Sequence, residues 1–304
     1  DGAVKKKRKI ILYLFVLAAA AGLFVIWILA GRENPGLGAE DLNTQGIVRV
    51  HFLDAGQGDS ILIQSEGENL LIDAGTNEDE ELVVSYLKEQ GVEYLDYVIA
   101  THPHIDHIGG MDAVLETFPV GIFFLPEEEY DTESYQDVEK ALKQKEIRMR
   151  HPDFLENYEI GSARFVFITP NSRKQYEDPN DASLGIRLTN GAHSFLLCGD
   201  ISKSIEAEIL ASGVRIRSDV LKLNHHGSSD ANSWEFLKAV DPSFVVVTCA
   251  PRNEFGHPHE KVMKRVEKLG AGVFRTDRQG AIVFDSDGKR LKSSTAPEDE
   301  EKEK

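Results

Sequence analysis

A short polar loop at residues 102–107 restricts the possible folds of this chain more than any other stretch. It follows an apolar run, residues 95–100, that is typical of a buried strand, and Gly109 and Gly110 then lead into an apolar-periodic helix. The polar side chains therefore lie on a strand-to-helix loop. Imidazole nitrogens and carboxylate oxygens are ligands of zinc-like cations, and four of them in one loop suit two adjacent metals. The loop predicts a metal site with these ligands: His102, His104, Asp106 and His107.

The amino-terminal residues have a different character. Residues 1–9 include an unbroken basic run, and residues 10–30 contain no charged side chain. A helix over residues 10–30 would span roughly 31 Å, enough for the hydrocarbon core of a bilayer. Positive charge before an apolar span places the amino terminus in the cytoplasm. We therefore predict a basic cytoplasmic segment (1–9), a single transmembrane signal anchor (10–30) and an extracytoplasmic domain. The alternative is a cleaved signal peptide, which would release the domain as a secreted protein.

The body of the chain, residues 47–292, is predicted to form one α/β domain. Strand-like apolar runs alternate with apolar-periodic helices, which favours helices layered on the outside of mixed sheets. Residues 131–145 are expected to form a polar surface helix. Residues 31–46 are predicted to be a linker and residues 293–304 a disordered acidic tail. The net charge of −17 argues against a dedicated duplex-DNA binder, whose affinity comes largely from neutralising phosphates.

Further metal-type ligands stand just after other strand-like runs. Asp200 follows the apolar run 196–198, where its two oxygens could bridge two cations, although a helix N-cap is the alternative. A histidine pair, His225 and His226, follows the run 220–224. Asp73 ends a third run, where a carboxylate could orient a ligand histidine from behind. Lys222 alternates with apolar neighbours and is expected to be a solvated strand residue.

The pattern formed by His102, His104, Asp106 and His107 resembles the H-x-H-x-D-H signature of the metallo-β-lactamase fold superfamily. More narrowly, the chain is similar to the hydrolase domain of ComEC-like competence proteins. The supporting stretches occur in the family's order at residues 54–60, 180–184, 199–201, 225–228, 256–259 and 276–280. The resemblance implies an αβ/βα four-layer sandwich with the site at the edge between two sheets.

The resemblance also implies two divalent metal ions. One would be held by His102 and His104, and the other by Asp106, His107 and one histidine of the 225–226 pair, with Asp200 bridging. His225 is the preferred ligand because it follows its strand immediately, which leaves His226 to contact substrate. Many members of the superfamily have a histidine where this chain has Asn180, so Asn180 is expected to reach the first metal directly or through water. Histidine and aspartate ligands favour Zn²⁺ over Mn²⁺.

The expected chemistry is attack on a phosphodiester by a hydroxide that two metal ions activate. Asp106 is predicted to hold this nucleophile in line as well as to ligate. His257, on a later loop, is the candidate for protonating the leaving group, and a purely structural role is its alternative. Gln57 and Asp59 occupy a glycine-rich turn and are candidates for lining the site.

We therefore expect a membrane-anchored, extracytoplasmic phosphodiesterase or nuclease. Its substrate would contain a phosphoester, for example single-stranded DNA. Hydrolysis of another bond is an alternative, in a lactone, a thioester or a cell-wall phosphoester. A non-enzymatic, metal-binding module of the cell envelope is the remaining alternative. The membrane is the partner of the predicted anchor, and the sequence indicates no protein partner.

Overall fold

The computed structural model describes residues 46–169 and 176–298 of the 304-residue chain. The predicted cytoplasmic segment (1–9), the predicted anchor (10–30) and all but the last residue of the predicted linker (31–46) lie outside the described residues. Within the two described ranges, no helix has both the length and the apolar character that crossing a membrane requires.

The strands of the described residues form two mixed sheets. In chain order the strands are β1 (Val48–Phe52), β2 (Ile61–Ser65), β3 (Glu68–Ile72), β4 (Leu95–Ile99), β5 (Val120–Phe124), β6 (Arg148–Arg150), β7 (Asn157–Ile160), β8 (Ala163–Phe167), β9 (Ile186–Asn190), β10 (His193–Leu197), β11 (Val220–Lys222), β12 (Phe244–Val247), β13 (Gly272–Arg275), β14 (Ile282–Ser286) and β15 (Leu291–Ser293). The first sheet has the order β15-β14-β1-β2-β3-β4-β5-β6, and the second has the order β13-β12-β11-β10-β9-β8-β7.

Most of the helices connect parallel strands. They are α1 (Glu80–Glu89), α2 (Ile105–Ile108), α3 (Met111–Thr117), α4 (Glu133–Gln144), α5 (Lys203–Ser212), α6 (Trp234–Val240), α7 (Glu260–Leu269) and α8 (Thr276–Gln279). Helix α7 shows why the sequence folds in this way. Its buried residues Val262 and Val266 lie one turn apart on the same face, and the helix ends at Gly270 with φ near 80°, a conformation that glycine adopts without steric cost.

Three apolar cores define the layers of the domain. The central core lies between the sheets and includes Phe52 from β1 and Phe165 from β8. A second core packs the first sheet against α1, α3 and α4, through residues such as Val83 and Val138. A third core packs the second sheet against α5, α6 and α7. The layers therefore run helix, sheet, sheet, helix, and the predicted two-sheet α/β architecture is confirmed.

Parallel strands bring the motif loops together. Strands β3 to β6 are parallel in the first sheet, and strands β10 to β13 are parallel in the second. The carboxyl ends of parallel strands meet at one edge of a sheet, where α/β proteins bind ligands. Asp73 follows β3, the histidine loop follows β4, Asp200 follows β10, and the histidine pair follows β11. The candidate site is therefore built from strand ends of both sheets.

The structure differs from the sequence-based expectations in three places. Strands β6, β7 and β13 were not expected; each has three or four residues and lies at the edge of its sheet, too short for a clear periodicity. Helix α4, expected to be a polar surface helix, buries one face that includes Tyr135, Val138 and Leu142. The predicted tail starts too early. Ser293 belongs to β15, and the Glu298 amide donates to the carbonyl of Val273 in β13, so residues 293–298 pack on the domain.

Candidate metal centre

Four side chains converge where the ends of the two sheets meet, and we call them the four-residue group: Asp106, His107, Asp200 and His226. The Asp200 Oδ2 atom lies 3.3 Å from His226 Nε2 and 3.4 Å from His107 Nε2. The Asp106 Oδ2 atom lies 3.5 Å and 3.8 Å from the same two nitrogens. Ligands about 2.1 Å from a tetrahedral ion are about 3.4 Å apart. The spacing of the group therefore fits one divalent cation at its centre.

Hydrogen bonds behind the two histidines point their Nε2 atoms into the group. The His107 Nδ1 atom lies 2.8 Å from Asp73 Oδ2, and His226 Nδ1 lies 2.9 Å from the Thr248 carbonyl. Because both partners only accept, each Nδ1 carries the proton and each Nε2 offers a lone pair to the centre. Both Nε2 atoms and Asp200 Oδ1 are buried, and within residues 46–169 and 176–298 they have no hydrogen-bond partner. A cation is the partner that these unsatisfied atoms fit.

Electrostatics in the four-residue group also favour a positive charge. Burial alone would raise the pKa of Asp200, but His226 and His107 hold this pKa well below its usual value. Burial alone would lower the pKa of His226, yet Asp200 is the largest influence in the other direction and raises the pKa to about 9. The pKa of His107 is raised for the same reason, against the effect of burial. The two carboxylates thus stabilise positive charge between them.

A second pair of donors lies beside this group. The His102 Nε2 atom is 3.1 Å from His104 Nδ1, a separation that two ligands of one ion would have. The Thr101 hydroxyl lies 3.0 Å from His102 Nδ1 and fixes the ring from behind. Burial lowers the pKa of His102 well below its usual value, so the imidazole stays neutral, as a ligand must be. The His102 and His107 ring centroids are only 4.1 Å apart, so the two donor sets adjoin.

Asn180 adjoins the second pair through Ser183. The Ser183 hydroxyl lies 3.3 Å from His102 Nδ1 and donates to the Asn180 carbonyl at 2.6 Å. The side-chain oxygen of Asn180 is buried and has no hydrogen-bond partner among the residues that the structure describes. This amide oxygen is therefore a candidate for an additional ligand.

The backbone at the histidine pair decides which histidine joins the four-residue group. Both residues have left-handed φ values, 50° at His225 and 51° at His226, so the chain turns sharply after β11. The His226 side chain is 2 % exposed and enters the group, whereas that of His225 is 29 % exposed with its Nε2 atom 3.8 Å from Asp200. The geometry therefore differs from the sequence-based preference for His225. The position directly after a strand does not determine where a side chain points when the residues after the strand have left-handed backbone angles.

A buried ion pair lies directly behind Asp200. The Lys222 Nζ atom is 2.6 Å from Asp59 Oδ2 and 3.7 Å from Asp200 Oδ1, and the side chains of Lys222 and Asp59 are each 1 % exposed. Thr248 donates its hydroxyl hydrogen to the other oxygen of Asp59 at 2.5 Å. The expectation that Lys222 is solvated was wrong, because its partner comes from a turn far away in sequence. The Lys222 member of the pair places an ammonium group next to the candidate ligand Asp200.

The turn of residues 56–59 packs tightly against the histidine loop. The Asp59 amide donates to the Asp106 carbonyl at 3.1 Å. A Cβ atom added at Gly58 would lie only 2.1 Å from the same carbonyl oxygen, so only glycine permits this approach. The turn therefore brings Asp59 to Lys222 rather than to the open side of the site.

Gln57 instead orients His257. The Ala250 amide donates to Gln57 Oε1 at 3.2 Å, which turns the amide nitrogen of Gln57 towards His257 Nδ1 at 3.4 Å. Since this nitrogen only donates, His257 Nδ1 accepts and the ring proton lies on Nε2. The His257 ring lies 5.5 Å from that of His225 and 6.2 Å from that of His226, measured between centroids. Burial, assisted by His226, lowers the pKa of His257 to about 4, which keeps it neutral.

Glu206 was not identified from the sequence, yet it holds the loop that carries His226. It is fully buried on α5 and accepts hydrogen bonds from the Asn224 side chain at 2.9 Å and from the amides of Asn232 at 2.5 Å and Ser233 at 2.8 Å. The Asn232 side chain in turn accepts a hydrogen bond from the Asn224 backbone amide and donates one to the Asn224 backbone carbonyl. A polar residue at an inward helical position was the only signal in the sequence.

Comparison with known proteins agrees with this architecture. Residues 53–248 match the model of the metallo-beta-lactamase superfamily, and the chain belongs to that superfamily, as predicted. It is 27 % identical over 264 residues to ComE operon protein 3 of Bacillus subtilis (80 % of this chain, 33 % of that protein). It is 32 % identical over 237 residues to competence protein ComA of Neisseria gonorrhoeae (77 % of this chain, 32 % of that protein).

Among solved structures, the fold is similar to the metallo-beta-lactamase fold protein YhfI from Bacillus subtilis. The TM-score is 0.54 at 14 % identity, and the match covers 79 % of this chain and all of that one. The chain spans about a third of the length of the curated relatives that it matches. It is thus a metal-dependent hydrolase by superfamily, with competence proteins as relatives and a histidine–aspartate cluster suited to metal binding.

Proposed function

We propose that the domain is a phosphodiesterase or nuclease with two divalent metal ions. The observation that carries the proposal is the convergence of two adjoining donor sets. One set is the pair His102 and His104, and the other is the four-residue group, in which two buried nitrogens have no hydrogen-bond partner among the described residues. Such density of ligands exceeds what a single ion uses.

The geometry supports a particular division of the ligands. His102 and His104 would hold one ion, with Asn180 as a further oxygen ligand, and Asp106, His107 and His226 would hold the other, with Asp200 shared between them. Two such ions supply positive charge that activates water and offsets the charge developing on phosphoryl oxygens. Histidine and aspartate donors favour Zn²⁺ over Mn²⁺.

In this proposal, the side chains around the donor sets orient a ligand, compensate charge or contact the substrate. Asp73 keeps His107 in the tautomer that offers Nε2, and Lys222 compensates the charge of Asp200 from behind. His257 carries its proton on Nε2, so it is able to donate a hydrogen bond to a phosphate oxygen or to the leaving group. Asp106, the most exposed member of the four-residue group, is the residue best placed to meet the attacking water.

The test compares metal content with hydrolysis. Purified protein loaded with Zn²⁺ or with Mn²⁺ is assayed with bis(p-nitrophenyl) phosphate and with a single-stranded DNA oligonucleotide, and bound metal is measured by elemental analysis. We expect cleavage that is lost on His104→Ala and Asp106→Ala but kept on His151→Ala, which removes an exposed histidine outside the site. Protein with two bound ions that cleaves neither substrate would refute the proposal.

The acidic charge of the chain supports a second candidate. A net charge of −17 disfavours binding of a polyanion and favours a smaller substrate, such as a lactone, a thioester or a cell-wall phosphoester. A panel of carbonyl and phosphoester reporters distinguishes the two candidates by the class that is turned over. One ion or none per chain, without turnover of either class, would support the non-enzymatic envelope module instead.

We also propose that residues 10–30 anchor the protein and that the hydrolase domain lies outside the cytoplasm. The support is the apolar span and the basic residues before it. Protease added to intact spheroplasts should digest the domain, while a cytoplasmic marker survives. Protection of the domain until the membrane is lysed would contradict this topology.

A further inference from the structure

An exposed aromatic ring lies beside the candidate metal centre. Phe255 is 56 % exposed and belongs to the same loop as His257. Its ring lies 5.6 Å from the His257 ring with 22° between the planes. The His257 ring in turn lies 6.2 Å from that of His226 with 26° between the planes. Phe255 is therefore the outer member of a row of three roughly parallel rings that starts in the four-residue group and ends in solvent.

The row places an apolar surface near the candidate metal ligands. The two steps of 5.6 Å and 6.2 Å keep the Phe255 ring within about 12 Å of the His226 ring. Asn253 holds this loop in shape, because it accepts from the His257 amide at 2.8 Å and donates to the His257 carbonyl at 2.7 Å. Phe255 thus has a fixed position although its ring is exposed.

A second exposed apolar side chain lies on the histidine loop. Ile105 is 56 % exposed, and it stands between the candidate ligands His104 and Asp106. Hydrophobic side chains at the rim of a site contribute affinity for apolar or aromatic parts of a ligand. The rim of this centre therefore favours a substrate with a flat apolar group near its scissile bond.

The acidic charge of the chain explains why apolar side chains at the rim would be needed to bind a phosphodiester. The chain has a net charge of −17, and residues 250–259 carry one arginine and one glutamate, so the loop itself is neutral. Neutralisation of phosphates, the usual source of affinity for nucleic acids, is weak here. Stacking of unpaired bases on aromatic side chains does not depend on charge, and it tolerates any sequence because every base has a π-face.

We propose that Phe255 stacks against a base of a single-stranded nucleic acid and so positions the adjacent phosphodiester at the metal centre. The inference rests on the proposed phosphodiesterase function and adds the residue that selects nucleotides among phosphodiesters. Single strands are the substrate because the faces of their bases are free, whereas duplex bases are covered by their neighbours.

The experiment compares two oligomers that differ only in their bases. Metal-loaded protein is assayed with a short thymidine oligonucleotide and with an abasic phosphodiester of the same length. We expect wild-type protein to show a lower KM for the thymidine oligomer. Phe255→Ala should raise that KM roughly 5- to 150-fold, as loss of one base–aromatic stack does, and leave the abasic KM unchanged. Phe255→Trp should retain the preference, because it restores an aromatic face.

A matched control is available in the first sheet, at the amino end of β4, the end opposite to the histidine loop. Tyr94 is 45 % exposed and directly precedes the amino end of β4, so Tyr94→Ala removes a similar exposed ring away from the site. It should leave both KM values unchanged. Equal KM values for the two oligomers in wild-type protein, or an unchanged thymidine KM in Phe255→Ala, would overturn this inference alone. If wild-type protein cleaves neither oligomer, the proposed function fails and the inference falls with it.

Discussion

The buried pair of Asp59 and Lys222 allows a quantitative test of how the centre is supported. Replacing Lys222 with methionine keeps the length and the apolar stem of the side chain but removes its charge. Among the described residues, Asp59 would then retain the Thr248 hydroxyl and weak contacts with His226 Nδ1 at 3.6 Å and His107 Nδ1 at 4.0 Å. Burial raises the pKa of Asp59, and Lys222 is the largest influence that lowers it. Its removal therefore leaves a buried carboxylate without its main compensation.

The expected magnitude follows from the burial of both partners. Breaking a fully buried ion pair on one side costs about 3–5 kcal/mol, so Lys222→Met should destabilise the fold by about that amount. Asp59→Asn should cost less, because Asp200 remains 3.7 Å from the ammonium. The double variant Asp59→Asn/Lys222→Met has no unpaired buried charge in this pair. It should therefore be more stable than Lys222→Met alone, with a coupling energy of about 1–3 kcal/mol.

The assay is urea unfolding of chelator-treated protein, so that metal binding does not contribute to stability. Stability changes are taken from shifts of the midpoint at constant m-value. Lys143→Met is the control, because the pair of Lys143 with Glu139 on α4 is exposed and should be worth less than about 1 kcal/mol. Destabilisation by Lys222→Met of less than about 1 kcal/mol, or strictly additive single effects, would refute the reasoning.

Three further predictions concern the ligands, their support and a remote histidine. His226→Ala should reduce metal bound per chain by about one ion, whereas His225→Ala should keep both; elemental analysis decides, and the reverse result would restore the sequence-based preference. Glu206→Gln should weaken metal binding about 10- to 100-fold in a chelator competition, since it disturbs the loop behind His226; unchanged affinity together with lowered stability would show a purely structural role. Burial, assisted by Arg49, lowers the pKa of the His51 imidazole from 6.5 to about 4. Because the unfolded chain binds this proton at a higher pH than the folded protein, the fold loses stability as the pH falls from 6.5 towards 4. In urea unfolding of chelator-treated protein, the change in stability between pH 7 and 5 should differ by about 2 kcal/mol between the wild type and His51→Gln, and equal changes in both proteins would contradict the assignment.

Much of the candidate metal centre was predictable because its ligands can be recognised from short stretches of sequence. Each ligand follows a strand, and a strand can be recognised from a few consecutive apolar residues. The dense loop from His102 to His107 was thus sufficient to predict metal chemistry, and the superfamily match to residues 53–248 confirms the resemblance. The alternation of strand and helix patterns predicted a layered α/β domain, and the resemblance to the superfamily predicted its two sheets.

Tertiary structure decided the choices that depend on residues distant in sequence or on single backbone angles. Two left-handed residues direct His226 rather than His225 into the group, and no propensity argument foresees φ near 50° at two successive histidines. Lys222 is buried with Asp59, from the turn before β2, only 2.6 Å away. The sequence by itself determined which chemical groups are present, since ligand type is a property of side chains. Their direction, burial and charge balance are properties of packing, so only the folded chain determines them.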